Sequence, residues 1–270
     1  MAALNKHQIK PFYCEAHAAR DSADERNRYY GDKPINLMFL LENRYSWMNR
    51  FLSASSSGLE VGSGSGLSRE YVKSGPFLLS DFTNAEYLDV KKVDALNTPF
   101  RAKDFDFVVA SHVIHHVPNP MMFFSEMARI LKPGGLLLIN EVKCSILMRA
   151  ILRLMNHESY DYGVSVYDRT AMMKLNADDR WEANCAVPDL LFDDLREFDK
   201  NVSSFKAIHH EYSECIILLN SGGVDRATLH IPLFRFFKRM VLALDRGLIS
   251  LSPDIFAMSR RVVLQKRAED

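Results

Sequence analysis

The segment Gly58-Leu59-Glu60-Val61-Gly62-Ser63-Gly64-Ser65-Gly66 constrains this chain more than any other. A short apolar run enters a glycine-rich turn, the pattern of a strand leading into a nucleotide-binding crossover. Glycines there let the backbone approach a ligand, and the free N–H groups of the next turn face its oxygens. The acid two positions before Gly62 separates this turn from one that holds a dinucleotide, because a carboxylate repels pyrophosphate. Spacing agrees: the dinucleotide fingerprint places two residues between its second and third glycines, and only Ser65 stands between Gly64 and Gly66. A ligand with a ribose, a cationic amino-acid tail and no phosphate suits the turn, with Glu60 beside the ammonium. S-adenosylmethionine is such a ligand.

Further runs organise the chain around this turn. Leu59 to Val61, Phe77 to Leu79, Phe105 to Ala110 and Leu136 to Ile139 are short and apolar, as strands buried on both faces are. Between the last two, Met121, Phe124, Met127, Ala128 and Leu131 recur at spacings of three and four, which predicts a helix from Pro120 through Lys132. Asn119 is placed to cap it, Pro120 occupies its first position, and Lys132-Pro133-Gly134-Gly135 stops it. Alternating strands and helices predict an α/β, doubly wound, mostly parallel sheet with the ligand across the carboxyl ends of its strands.

Taken in order, four blocks resemble the class I S-adenosylmethionine-dependent methyltransferases of the type 11 kind. They are the glycine turn; Phe77-Leu78-Leu79-Ser80-Asp81 with Val93-Asp94-Ala95-Leu96-Asn97-Thr98-Pro99-Phe100; Phe105 through Val117; and Arg129 through Ile139. The resemblance implies a Rossmann-like seven-stranded sheet with an antiparallel last strand, an N-terminal helical cap and an insertion after strand 5. One departure shows. Only twelve residues lie between Asp81 and Asp94, where the family fits a helix and a strand, so the second crossover is expected to shrink to a turn with a stub of edge strand at Val90 to Val93.

The expected organisation is a helical cap or lid over residues 1–52, the cofactor half over 53–142, a substrate-pocket insertion over 143–203, and a C-terminal part over 204–270. The last part should contribute strands at Ser204 to Tyr212 and Arg261 to Lys266. Lys plus Arg and Asp plus Glu both number 34, so no overall basic field calls for nucleic acid. The four cysteines form no CxxC pair, which suits reduced thiols. Neither a signal-like leader nor an apolar run of spanning length occurs, and a cytoplasmic protein is expected.

Each candidate site residue has a functional and a structural reading. Glu60 contacts the cofactor's amino group, directly or through water, or caps a neighbouring helix. Asp81 accepts the ribose hydroxyls or caps the backbone from Thr83 onward. By resemblance, Asp94 and Ala95 meet the adenine; otherwise they form a solvated turn. Gly62 and Gly64 give the ligand backbone access, while Ser111 and His112 line the pocket near the methionine tail. Tyr30, with Tyr29, resembles the lid tyrosines of the family or staples the cap. His112, His115 and His116 share a spacing that a metal tolerates, but no acid or cysteine joins them at ligand spacing, so no metal is expected. A general base is the sharper reading, His116 ahead of His115, because a hydroxyl acceptor must lose its proton.

The acceptor pocket is expected at His157 and Tyr160 in the insertion. The reading that follows is methyl transfer to a small-molecule or glycan acceptor, at a hydroxyl, in a biosynthetic pathway of the bacterial glycan and secondary-metabolite kind. N-methylation of an amine or amino sugar is the alternative within enzymes, and a non-catalytic scaffold is the alternative outside them. The stretch Ile231 to Leu244, apolar with embedded cations, reads as a core helix with snorkelling side chains or as a helix at a membrane interface, the first being the commoner arrangement. Ser145 to Met155, with Arg149 and Arg153, invites the same two readings.

Overall fold

The computed structural model describes residues 15–155, 158–174, 182–223 and 228–268. Two helices, α1 (Glu15–Asp32) and α2 (Ile35–Tyr45), precede the strands β1 (Gly58–Val61), β2 (Phe77–Ser80) and β3 (Phe105–Ser111). Helix α3 (Pro120–Ile130) leads into β4 (Leu131–Val142). Three helices then fall in the insertion: α4 (Ile146–Met155), α5 (Val187–Phe192) and α6 (Leu195–Asn201). Strand β5 (Phe205–Ser213), the helices α7 (Ile216–Leu219), α8 (Lys238–Leu251) and α9 (Pro253–Phe256), and β6 (Ser259–Lys266) complete the chain.

Among the described residues the strands make one sheet in the order β2-β1-β3-β4-β6-β5, with β6 antiparallel to both neighbours. Six strands are present where seven were expected. The chain between Asp81 and Asp94 reaches the sheet only through an isolated parallel bridge of Ser80 with Val90, supported by Asp89 and Val90 N–H bonds to the Leu79 carbonyl. A parallel crossover ordinarily takes a dozen or more residues, and the twelve available here are spent on the turn itself.

Alternation along the strands sorts the core into two layers. Val108, Ala110, Leu137, Ile139, Val262 and Leu264 face α3, α5 and α6, where Phe124 meets Phe192, Phe198 and, from β5, Phe205 edge to face. Phe107, Val109, Leu138 and Val263 face Trp47 and Met48 after α2. Asn119 caps α3 as its sequence predicts, accepting from the Met121 and Met122 N–H groups. The register brings Val61, Ser80, Ala110, Asn140 and Val142 toward one edge together with Ser213 and Ser259. Every loop that carries a candidate residue, and the helices α4, α7 and α9, opens from that edge.

The stretch Ile231 to Leu244 is not a core helix. Its first part is extended, a 3-10 turn follows at Arg235–Phe237, and in α8 only Val241 and Asp245 are buried. Among the described residues no helix is long and apolar enough to cross a membrane.

Candidate active site

The glycine turn forms because its backbone needs it. Gly62, Gly64 and Gly66 have φ of +65°, +50° and +67°, a region that costs other residues. A Cβ on Gly62 would lie 2.6 Å from Val113 Cγ2, whereas one on Gly64 would meet only Ser22 Oγ at 3.9 Å. Asp81 holds the turn against β2: its Oδ2 accepts from Gly64 N–H at 3.0 Å and its Oδ1 from Thr83 N–H at 2.8 Å. The capping contact at Thr83 is thus present, and the same carboxylate retains lone pairs toward the turn. Val93 N–H donates to the Asp81 carbonyl at 2.9 Å, and Leu96 N–H to Asp94 Oδ1 at 2.9 Å, so the half-buried Asp94 and Ala95 turn is tied to the same corner.

Glu60 is 1 % exposed. Ser68 Oγ donates to its Oε2, while its Oε1 is buried with no hydrogen-bond partner. Burial pushes its carboxyl up to about 8. A buried carboxylate oxygen without a partner is costly unless a donor arrives, and the ammonium of S-adenosylmethionine is such a donor. The open backbone at Gly64 and the orphan oxygen of Glu60 thus fit that cofactor, whose ribose would fall to Asp81.

The cap reaches the site through residues that sequence reasoning missed. Arg26 donates to the Ser65 carbonyl at 3.0 Å and lies over the rings of Tyr30 and Tyr87, while Tyr87 donates to the Gly64 carbonyl at 2.7 Å. Tyr30 remains exposed and donates to Glu70 at 2.6 Å. Tyr29 is buried in the cap, its hydroxyl 2.8 Å from that of Tyr71. At the end of α2, Tyr45 hydrogen-bonds Ser111 and lies beside Glu60, and burial raises its phenol. Arg44 pairs with Glu214 at 3.0 Å, both buried, which fastens α2 to the end of β5. Tyr29 and Tyr30 were marked in the sequence; no local pattern marks Arg26, Arg44, Tyr45 or Tyr87, since their partners are remote in sequence.

Beyond β3 the three histidines diverge. His112 adopts φ +57°, takes the Asn140 carbonyl through its N–H at 2.8 Å, and is held well below the ordinary histidine range by burial and by the nearby Arg44 charge. A positive φ at a non-glycine residue stores strain of a kind found at functional sites. His115 is 2 % exposed. Its Nδ1 lies 2.6 Å from Glu141 Oε2, and the Glu141 charge outweighs burial to raise it to about 9. Glu141 also accepts from Ile114 N–H at 2.6 Å, so it anchors the whole 3-10 turn Ile114–His116. His116 is the more accessible ring; its Nε2 lies 3.7 Å from Glu158 Oε1 and its Nδ1 has no hydrogen-bond partner. Burial and the charge of His115 lower it to about 4.

The acids absent at ligand spacing in the sequence are supplied in space. Among the described residues, His112, His115 and Glu141, and likewise His115, His116 and Glu158, bring ligand-type atoms within 4.8 Å of one another. Glu158 comes from the insertion, where it also accepts from Cys185 Sγ at 3.0 Å. Asn184 N–H donates to the His115 carbonyl at 2.8 Å, and Asn184 Nδ2 to the Asp161 carbonyl at 3.0 Å. The segment around Tyr160 is thereby laid over the histidine turn. Tyr160 itself lies under the Arg153 guanidinium, 5.5 Å from its ring. His157 lies outside the described residues.

Comparison with known proteins follows the same boundaries. Residues 59–139 match the family model described as a methyltransferase domain. A stretch of 62 residues is 37% identical to phthiotriol/phenolphthiotriol dimycocerosates methyltransferase 1 of Mycobacterium ulcerans, covering 23% of each chain. Another of 48 residues is 40% identical to demethylmenaquinone methyltransferase of Staphylococcus haemolyticus, covering 18% of this chain and 20% of that one. The chain thus matches less than a quarter of the length of these curated relatives. A SAM-dependent methyltransferase from Archaeoglobus fulgidus shares the fold, with TM-score 0.51 and 16% identity over 84% of this chain and 93% of that one. The matched segment, residues 59–139, holds the glycine turn, Asp81, Asp94 and the histidine turn; it is similar to a methyltransferase domain, and the fold is the one seen in a SAM-dependent methyltransferase.

Proposed function

We propose that the protein transfers the methyl group of S-adenosylmethionine to a hydroxyl of a small-molecule or glycan acceptor. The observation that carries this reading is His116, an imidazole kept neutral by burial and by its charged neighbour at the carboxyl edge of β3. The cofactor, when bound, supplies an activated methyl on a sulfonium. Everything else falls to alignment and to proton removal. Glu60 takes the ammonium, Asp81 the ribose, and Asp94 with Ala95 the adenine; Ser111 and His112 border the methionine tail, and Tyr30 with Arg26 closes the cap side. Tyr160 borders the acceptor.

His116 would receive the proton of the acceptor hydroxyl, the cofactor, when bound, supplying the methyl group. With Nδ1 buried, Nε2, 3.7 Å from Glu158 Oε1, is the nitrogen left to accept the proton. Glu158 then stabilises the imidazolium that forms. His115, ion-paired to Glu141, positions the turn and takes no proton at neutral pH.

The test is calorimetry of the full chain with S-adenosylmethionine, S-adenosylhomocysteine and NAD, followed by a methyl-release assay on hydroxyl and amine acceptors. Binding of the two sulfur ligands with turnover on hydroxyls supports the reading. Turnover on amines alone gives the site to N-methylation, and absence of binding makes the chain a scaffold.

A further inference from the structure

The edge of the sheet that carries the site also carries an apolar surface for which the methyl-transfer chemistry has no use. In residues 229–237, Leu229 and Ile231 are exposed, Phe234 is 64% and Phe236 74% exposed, and the rings of Phe234, Phe236 and Phe237 cluster together at 4.0–6.4 Å. Helix α8 continues this surface with exposed Met240, Leu244 and Leu251. Helix α9, which exposes Ile255, packs against both α8 and α4, and α4 exposes Ile146, Leu154 and Met155. Isolated exposed apolar residues are ordinary, but a concentration such as this marks an interaction surface.

Charge identifies the partner. The whole chain is balanced, yet residues 229–244 hold Arg235, Lys238 and Arg239 with no acid, and α4 holds Arg149 and Arg153 with no acid. Arg235, Arg239 and Arg153 are exposed, and among the described residues no acid pairs with them. Lys238 alone is engaged, with Glu42 at 2.5 Å. Aromatic and aliphatic side chains interleaved with unpaired cations, on a helix too short and too polar to span, form the pattern that settles in the headgroup layer of an anionic bilayer.

We propose that residues 229–240, α8 and the adjoining α4 dock on an anionic phospholipid surface. Because α4 and α9 leave the same edge as the site loops, docking presents the site to an acceptor held in or near the membrane. The docking itself does not depend on the acceptor being a hydroxyl.

The experiment is co-sedimentation of the full chain with phosphatidylcholine vesicles, with and without phosphatidylglycerol. Binding is expected only to the anionic vesicles and should weaken as salt rises. The double variant Phe234→Asp with Phe236→Asp should lower partitioning by about tenfold or more, since each ring removes an apolar anchor. Arg235→Ser with Arg239→Ser should lower it by about fivefold per cation and flatten the salt dependence. Both variants alter exposed residues, and calorimetry with S-adenosylmethionine should give wild-type affinity, which separates loss of docking from loss of the cofactor site. Wild-type sedimentation equal to that of the phenylalanine variant overturns the proposal. So does a wild-type dimer that this variant dissociates without any vesicle binding, which would assign the face to a second copy of the chain.

Discussion

The glycine-turn corner and the histidine-turn corner lie side by side on one sheet edge but are held by different forces. At the first, hydrogen bonds to and from the backbone do the fastening: Gly64 N–H to Asp81, Ser63 N–H to the Ser80 carbonyl, Tyr87 to the Gly64 carbonyl. The partners in these three bonds lie within about two dozen residues of one another. At the second, buried charges from remote segments converge, His115 with Glu141 and Arg44 with Glu214, and Glu158 stands 3.7 Å from His116. Short-range backbone bonding makes a rigid cradle whose form is common to many chains. Long-range charge pairing makes a pocket whose titration and shape are particular to this one, at the cost of desolvating each ion.

The largest effect should come from the histidine corner. Replacing His116 with Ala should reduce turnover on a hydroxyl acceptor by about 10²–10⁴-fold, the usual contribution of a general base, while calorimetric affinity for S-adenosylmethionine stays at the wild-type value. Equal turnover in the two proteins across a pH series would remove His116 from the mechanism and leave the two corners chemically alike.

Next comes the pair that ties the cap to the sheet. Arg44→Ala leaves Glu214 charged and buried, and should cost about 3–5 kcal/mol of stability, read as a lower denaturant midpoint. A change below about 1 kcal/mol would mean that water replaces the guanidinium and that the cap is only loosely fastened.

At the glycine corner, Asp81→Ala should weaken S-adenosylmethionine by about tenfold to a hundredfold, in keeping with hydrogen bonds to a charged group. Unchanged affinity by calorimetry would restrict Asp81 to capping Thr83.

The smallest effect is one of pH. Burial raises Glu60 to about 8, so the folded chain binds a proton that the unfolded chain has already released near pH 4.3. Stability therefore declines as pH climbs from that point to about 8. Cofactor binding runs the other way, because the ammonium requires the ionised carboxylate, and affinity should rise from pH 6 to 8 by at most about tenfold per unit. Glu60→Gln should abolish both slopes. A titration of the variant that retains the wild-type slope would place the responsible group elsewhere.

Much of the glycine corner was legible in the chain because its signals are local. Apolar runs, positive-φ glycines and an acid at the end of the second run are set by neighbours a few residues apart, and they marked β1, β2, β3 and the capped α3. The shortened crossover was legible too, since twelve residues cannot hold a helix and a strand; what it leaves is the single Val90 bridge. The histidine corner was legible only as a list of candidates. Glu141 lies 26 residues from His115, and Glu158 stands in an insertion with no periodic pattern. Whether an imidazole near them is raised or lowered depends on which carboxylate it meets, a fact of packing. The stretch Ile231 to Leu244 was ambiguous for the same reason: an apolar segment with cations has one sequence pattern whether neighbours cover it or not, and here they cover Val241 and leave Phe234, Phe236, Met240 and Leu244 exposed.

The sequence by itself determined the order of the parallel strands and the glycine turn after β1, because those follow from short apolar runs and local backbone geometry. Only the tertiary structure decided which histidine is neutral, which residues of the cap enter the site and which apolar helix faces outward. Desolvation and charge pairing act between atoms that the fold alone brings together.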